Sequence, residues 1–182
     1  MRIRAAPILA VVGRKNSGKT RIVEYLVSNL AATGIRIAVL KHVHHPDFTL
    51  DTPGKDSWKH ARAGARVVVI VGKNEIAVIK KVDTSNYDMN ELLSTLKEEN
   101  LDLICLEGFH SLIARDESVF KIVTARNQSE LEDTLRGTAP PILAISGLVS
   151  KEGLKSKSGL PIINLELEGE KLVKLIKNRV LK

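Results

Sequence analysis

Aromatic residues make up only 3% of this 182-residue chain, cysteine occurs once, and no apolar run approaches the ~20 residues needed to span a bilayer. Each scarcity excludes something. One cysteine rules out a disulfide framework within the chain. Cys105 lies inside an apolar strand pattern, which argues against a catalytic thiol because a buried thiol stays protonated. With so few aromatics, the core must be packed by Val, Ile, Leu and Ala, as in a parallel sheet buried on both faces. Met1-Arg2-Ile3-Arg4 is not followed by a signal-peptide core and cleavage site, so the expectation is a cytoplasmic protein with no membrane partner. The chain has no internal repeat, no low-complexity tract and no break in composition. A single domain over 1–182 is therefore expected, with Ser150 to Gly159 as a surface loop.

Charge is the first positive feature. Twenty-eight Lys and Arg against 21 Asp and Glu give a net charge of +7, which suits polyanionic ligands. The basic residues are scattered and no aromatic-interleaved basic run occurs, so a solvated basic surface is expected rather than a nucleic-acid face.

The chemistry is concentrated in one stretch. Gly13-Arg14-Lys15-Asn16-Ser17-Gly18-Lys19-Thr20 follows the apolar run Ile8-Leu9-Ala10-Val11-Val12 and leads into a helical pattern. This is the phosphate-binding loop spacing (Gly, four residues, Gly-Lys-Thr) in the strand-to-helix context that the motif requires. Gly13 and Gly18 let the backbone turn tightly and approach a polyphosphate, and the amides of Asn16 to Thr20 can point into the resulting nest. Lys19 supplies the charge for the β- and γ-phosphates, and Thr20 a hydroxyl for Mg²⁺.

Strand and helix patterns then alternate. Ile22, Val23, Leu26, Val27 and Leu30 recur at helical spacing up to Gly34, and Ile35 to Leu40 forms a strand ending at Lys41-His42. A short helix is expected over Lys55 to Ala63. The runs Val67–Val71 and Ile76–Ile79 follow, close enough for a hairpin. Met89, Leu92, Leu93 and Leu96 mark another helix, followed by a strand over Leu101 to Leu106. Strands over Val119 to Val123 and Pro141 to Ile145 flank a helix over Ser129 to Leu135, and an edge strand is expected at Ile162 to Leu165. A terminal helix carries Leu172, Val173, Ile176 and Val180. The fold class is a three-layer α/β domain of the phosphate-loop type, its sheet mostly parallel and, through the hairpin, partly mixed.

Acidic partners are needed for a metal. Glu107 ends an apolar strand, where a strand-terminal acid meets the Mg²⁺ shell. Asp51 and Asp56 lie on the loop and helix after the second strand, where a metal ligand, a general base or a solvated acid would all fit. His42, His44 and His45 with Asp47 form a cluster open to three readings: phosphate contact, a transition-metal site, or plain surface. Trp58 packs the short helix or stacks on a base. The guanine motif Asn-Lys-x-Asp is absent, so base choice is not readable from pattern.

Several segments together resemble the molybdopterin-guanine dinucleotide biosynthesis protein B family (MobB). They are the phosphate loop, Lys41-His42-Val43-His44-His45, Asp51-Thr52-Pro53-Gly54-Lys55-Asp56-Ser57, Ala63-Gly64-Ala65, Leu106-Glu107-Gly108-Phe109 and Lys121-Ile122-Val123, in that order. The similarity runs from about residue 8 to about residue 145. It implies a GTP-binding homodimer, at most a weak GTPase, that assists a MobA-type guanylyltransferase in joining GMP to molybdenum- or tungsten-bearing molybdopterin. A molybdopterin-type cofactor is then a further bound substrate. Position by position, Gly13, Arg14, Lys15, Asn16, Ser17, Gly18, Lys19 and Thr20 would hold the phosphates, and His44, His45, Pro46 and Asp47 would border the nucleotide. Thr20, Asp51 and Glu107 would form the Mg²⁺ shell, with Lys19, Asp51 and Glu107 carrying any catalysis. Arg14-Lys15 and Arg21 depart from the residues common in the family. Two functions outside it use the same loop: a small-molecule kinase, and a scaffold that holds an anion without nucleotide dependence.

Overall fold

The computed structural model describes residues 6–45, 47–84, 87–151 and 159–182. In chain order the elements are β1 (Ile8–Val12), α1 (Lys19–Ala31), β2 (Ile37–Lys41), α2 (Asp56–Arg62), β3 (Val67–Val71), β4 (Ile76–Lys80), α3 (Met89–Ser94), β5 (Leu103–Glu107), α4 (His110–Ile113), β6 (Phe120–Thr124), α5 (Gln128–Arg136), β7 (Ile142–Ser146), a 3-10 turn (Leu148–Lys151) and α6 (Leu165–Arg179). They fall into two compact units, Met1–His42 with Leu96–Lys182, and Val43–Thr95.

The larger unit is built on a five-stranded sheet in the order β2-β5-β1-β6-β7, every pairing parallel. Its strands are short and almost wholly apolar, as expected where helices cover both faces. Leu9 and Val11 of β1, Leu103 and Cys105 of β5, Ile122 of β6 and Ala144 of β7 pack in one cluster with Ile22, Leu26 and Leu30 of α1 and Leu172 and Ile176 of α6. The alternate residues Ala10, Val12, Leu106, Val123 and Ile145 are buried on the opposite face. Helix α1 ends as the sequence indicates. Gly34 takes a φ of 85° and its amide bonds to Ala31 O at 2.9 Å, while Ile35 N reaches back to Leu30 O. Gly169 lets α6 come close to α1, because a Cβ there would lie 2.5 Å from the Tyr25 ring.

The connections after β1 and β6 run to opposite sides of the sheet, so the crevice at the strands' carboxyl ends opens between these neighbours. The phosphate-loop stretch lies there.

Two sequence expectations are refined. The antiparallel pair β3-β4 forms its own two-stranded sheet in the smaller unit and leaves the central sheet wholly parallel. Val67, Val69, Val71, Ile76 and Val78 are exposed on that ribbon, so their β-rich composition encodes a hairpin and not core strands. The edge strand at Ile162 shrinks to one bridge with Ile145, because Asn164 caps α6 by accepting from Glu166 N and so draws Leu165 into the helix. No helix among the described residues is long and apolar enough to cross a membrane.

Candidate functional site

The loop between β1 and α1 has the backbone that its glycines foretell. Gly13 sits at φ 150°, Asn16 at 61° and Gly18, the cap of α1, at 99°. Gly13 is irreplaceable on space alone: a Cβ would stand 2.2 Å from Thr124 O and 2.3 Å from Thr124 Oγ1. Ser17 is fully buried. Its Oγ lies 2.8 Å from Arg14 O and 2.6 Å from Thr124 Oγ1, which in turn reaches Val12 O at 3.0 Å. Two hydroxyl protons thus serve three contacts and tie the loop to the end of β6. On the far side Leu148 N donates to Ser17 O, and a Cβ on Gly147 would fall 2.2 Å from that same oxygen. The loop is therefore clamped by the ends of β6 and β7 as well as by its own helix.

Lys19 Nζ curls back over the loop, donating to Gly13 O at 2.9 Å and Arg14 O at 2.7 Å. Partial burial lowers its pKa from the usual lysine value; the Glu107 charge opposes that shift and the Lys41 charge adds to it. Arg14, Lys15 and Asn16 are exposed on the rim, and Arg14 makes a 3.3 Å ion pair with Asp133 of α5.

Glu107 ends β5 directly beside β1, in register with Val11, and on its other side with Lys41 at the end of β2. Its carboxylate is buried. Oε1 accepts a 2.5 Å hydrogen bond from Thr20 Oγ1 and lies 3.1 Å from Lys41 Nζ, itself 3.4 Å from Thr20 Oγ1. The chain leaves through Gly108 (φ 97°), and a Cβ at that position would press on His42. The rings of His42 and Phe109 meet at 5.3 Å. The larger unit therefore gathers Lys19, Thr20, Glu107 and Lys41 at the mouth of the loop.

The remaining sequence candidates lie in the smaller unit. His44, His45 and Asp47 are exposed, with Phe48 N donating to His45 O in a turn. Pro46 lies outside the described residues. Among the described residues no group of three or more His, Cys, Asp or Glu side chains is placed to hold a metal ion. Asp51 is buried. Its Oδ1 accepts from Thr52 N at 3.0 Å and Ser57 Oγ at 2.8 Å, whereas Oδ2 is buried with no hydrogen-bond partner. Asp56 is exposed and pairs with Lys59. Trp58 packs against the Arg62 guanidinium at 5.3 Å.

Sequence reading passed over three residues of this site. Lys41 ends an edge strand just as Glu107 ends its neighbour, and that shared position was the available signal. Thr124 ends β6 in the same way. Gly147 carried no signal, because its need for a bare Cα comes only from the approach of Ser17 O. Asn127 and Arg126, in the stretch after β6, do structural work: Asn127 caps α5 by accepting from Glu130 N, and Arg126 Nε donates to Glu130 Oε1 at 2.8 Å.

Comparison with known proteins places relatives beside this geometry. The family described as molybdopterin guanine dinucleotide synthesis protein B matches residues 8–147. The molybdopterin-guanine dinucleotide biosynthesis adapter protein of Escherichia coli is 35% identical over 122 residues, 66% of each chain. The chain thus spans just under two thirds of that relative's length. A probable adapter protein of the same description from Bacillus subtilis is 31% identical over 166 residues, covering 90% of this chain and 88% of its own. The crystal structure of Bacillus subtilis MobB superposes with a TM-score of 0.74 at 26% identity, over 96% of this chain and 98% of that one.

Proposed function

The chain belongs to the molybdopterin guanine dinucleotide synthesis protein B family, and from that membership we propose that it is a GTP-binding adapter in the synthesis of the molybdopterin guanine dinucleotide cofactor. The observation that carries the nucleotide part of this reading is the 2.5 Å bond between Thr20 Oγ1 and the buried Glu107 carboxylate at the mouth of the loop. Hydroxyl and carboxylate together form a hard, all-oxygen donor pair suited to Mg²⁺.

In this reading the amides of Asn16 to Thr20 and the positive end of α1 hold the phosphates. Lys19 already lies across the loop and needs only to turn its ammonium toward the β- and γ-oxygens. Arg14 and Lys15 add positive charge at the rim. When bound, Mg²⁺ neutralises phosphate charge. Lys19 and Glu107 would carry at most weak hydrolysis, since the output of an adapter is its bound state. The partner is a MobA-type guanylyltransferase acting on a molybdopterin-type cofactor, in the cytoplasm. A homodimer is supported by the ribbon β3-β4. Val69 faces Val78 and Val71 faces Ile76 on its bare apolar side, and a two-stranded ribbon is marginal until something covers it.

Calorimetric titration of GTP against ATP, with and without Mg²⁺, on wild type and Lys19→Ala tests the proposal. Mg²⁺-dependent preference for GTP, lost in the variant together with stimulation of the guanylyltransferase, is the expected result. Equal affinity for both nucleotides overturns the guanine assignment, and stimulation that survives Lys19→Ala turns the adapter into a nucleotide-independent scaffold.

A further inference from the structure

Glu107 is served by two donors, and one of them is itself a cation. The Lys41 ammonium lies 3.1 Å from the very oxygen that Thr20 engages, and 3.4 Å from the Thr20 hydroxyl. It therefore occupies the angle between the two groups proposed as metal ligands. Lys19, the other nearby ammonium, is turned toward Gly13 O and Arg14 O, so Lys41 is the lysine that compensates this carboxylate. The Glu107 side chain is 8% exposed and that of Lys41 is 52% exposed. The acid is fixed by the sheet, while the lysine reaches it on a flexible stem with solvent on the other side.

We propose that Lys41 is a resident counter-cation that a divalent ion must displace from Glu107, so that the site takes metal well only when nucleotide phosphate is there to receive the displaced ammonium. The inference rests on the reading of this loop as a nucleotide site. Two cations cannot share one carboxylate oxygen at these distances without strong repulsion, and the mobile partner is the one that moves. A metal ion alone must break the Lys41–Glu107 pair with no compensation. A polyphosphate entering with the metal supplies new anionic partners beside Lys41 and covers part of the metal's charge. Lys41 is then a positioning residue that couples the two ligands, and by linkage each raises the other's affinity by the same factor. Its place at the end of an edge strand leaves the stem room to swing.

The test uses Mn²⁺ as the probe, by calorimetry and electron paramagnetic resonance, on wild type, Lys41→Gln and Lys41→Arg, first without nucleotide and then with a non-hydrolysable GTP analogue. Lys41→Gln should bind Mn²⁺ alone roughly two- to fivefold tighter than wild type, the worth of one such ion pair. The gain in Mn²⁺ affinity conferred by nucleotide should shrink in proportion. Lys41→Arg keeps a cation and should behave like wild type. Without metal Lys41→Gln should melt below wild type, since Glu107 has lost its counter-charge, and Mn²⁺ should raise its melting point more. Unchanged, weaker or undetectable Mn²⁺ binding by Lys41→Gln overturns the proposal and leaves Lys41 an ordinary ion pair. If wild type binds no nucleotide, the functional reading falls instead, and the metal-only arm still decides the role of Lys41.

Discussion

Gly147→Ala probes how the phosphate loop is held, because the residue is far from the loop in sequence yet packs against its Ser17 carbonyl from outside. Its φ of +89° already disfavours a side chain, at a cost of about 1–2 kcal/mol for a left-handed non-glycine residue. Space adds to this. The new Cβ would lie 2.2 Å from Ser17 O and 3.2 Å from Thr124 Cβ, so the Ser17 carbonyl has to retreat by about 1 Å to reach ordinary contact distance. It is poorly placed to do so, since Ser17 is fully buried and its hydroxyl is bound between Arg14 O and Thr124 Oγ1. Overpacking of this kind costs about 1–3 kcal/mol more. Gly34→Ala is the control, with φ +85° and nothing within 4 Å of its Cβ; it carries the backbone penalty alone. Urea unfolding should show Gly147→Ala losing roughly 2–5 kcal/mol and Gly34→Ala about 1–2 kcal/mol. Nucleotide titration should separate them further. A loop displaced by about 1 Å weakens its hydrogen bonds to charged phosphate, each worth about 1.5–3 kcal/mol, so a loss of about tenfold or more in affinity is expected, whereas Gly34→Ala should bind as wild type does. If Gly147→Ala binds nucleotide as tightly as Gly34→Ala, the clamp from β7 does not position the loop and the argument is wrong.

Two further outcomes follow from groups away from the loop. Lys121 is fully buried in β6 and its ammonium donates to Asp116 O at 2.5 Å and Val119 O at 3.0 Å, with Pro140 O at 3.5 Å; Lys121→Met keeps the stem but strands these carbonyls. A loss of about 2–4 kcal/mol is expected by denaturant titration, and wild-type stability would show that the ammonium contributes nothing net. The hydrogen bond from Arg126 holds the Glu130 carboxyl at about 2, against an ordinary 4.5. Because the folded value lies below the unfolded one, this contribution is complete above pH 4.5 and drains away as pH falls toward 2. Unfolding of Arg126→Gln at pH 3 and pH 7 should show a shallower acid dependence than wild type, and an identical dependence refutes the coupling.

The parts of the molecule legible in sequence are those whose physics is local. The loop spacing, the apolar strands and the stop at Gly34 each depend on residues a few positions apart, and the central parallel sheet follows from their alternation. The hairpin strands misled as to sheet membership. Val67–Val71 has the composition of a buried strand, yet in the hairpin with Ile76–Lys80 only Val68 is buried and Val67, Val69, Ile70 and Val71 are exposed. Glu107 stood out because a carboxylate closing an apolar strand is rare. Lys41 and Thr124 close strands in the same way but are common residue types there, and their importance comes from partners 66 and 107 positions away. Gly147 lies at the far limit, since no local pattern marks a glycine whose reason is a carbonyl from another crossover.

Cys105 gives the molecule a built-in clock. The thiol lies in β5 between Leu9 of β1 and Val39 of β2, is 1% exposed, and burial pushes its pKa up to about 12. No reagent meets a thiolate there while the sheet is closed. Labelling must wait for the sheet to open between its central strands, and as the chain has one cysteine the signal has one source. Where opening and closing are fast relative to reaction, the labelling rate reads the fraction of molecules open. A ligand present at a hundred times its Kd stabilises the closed form by about 2.7 kcal/mol and would slow that clock about a hundredfold. The strand that carries the timer also ends in Glu107, so occupancy of the phosphate site can be timed in the unmodified protein with a thiol reagent alone.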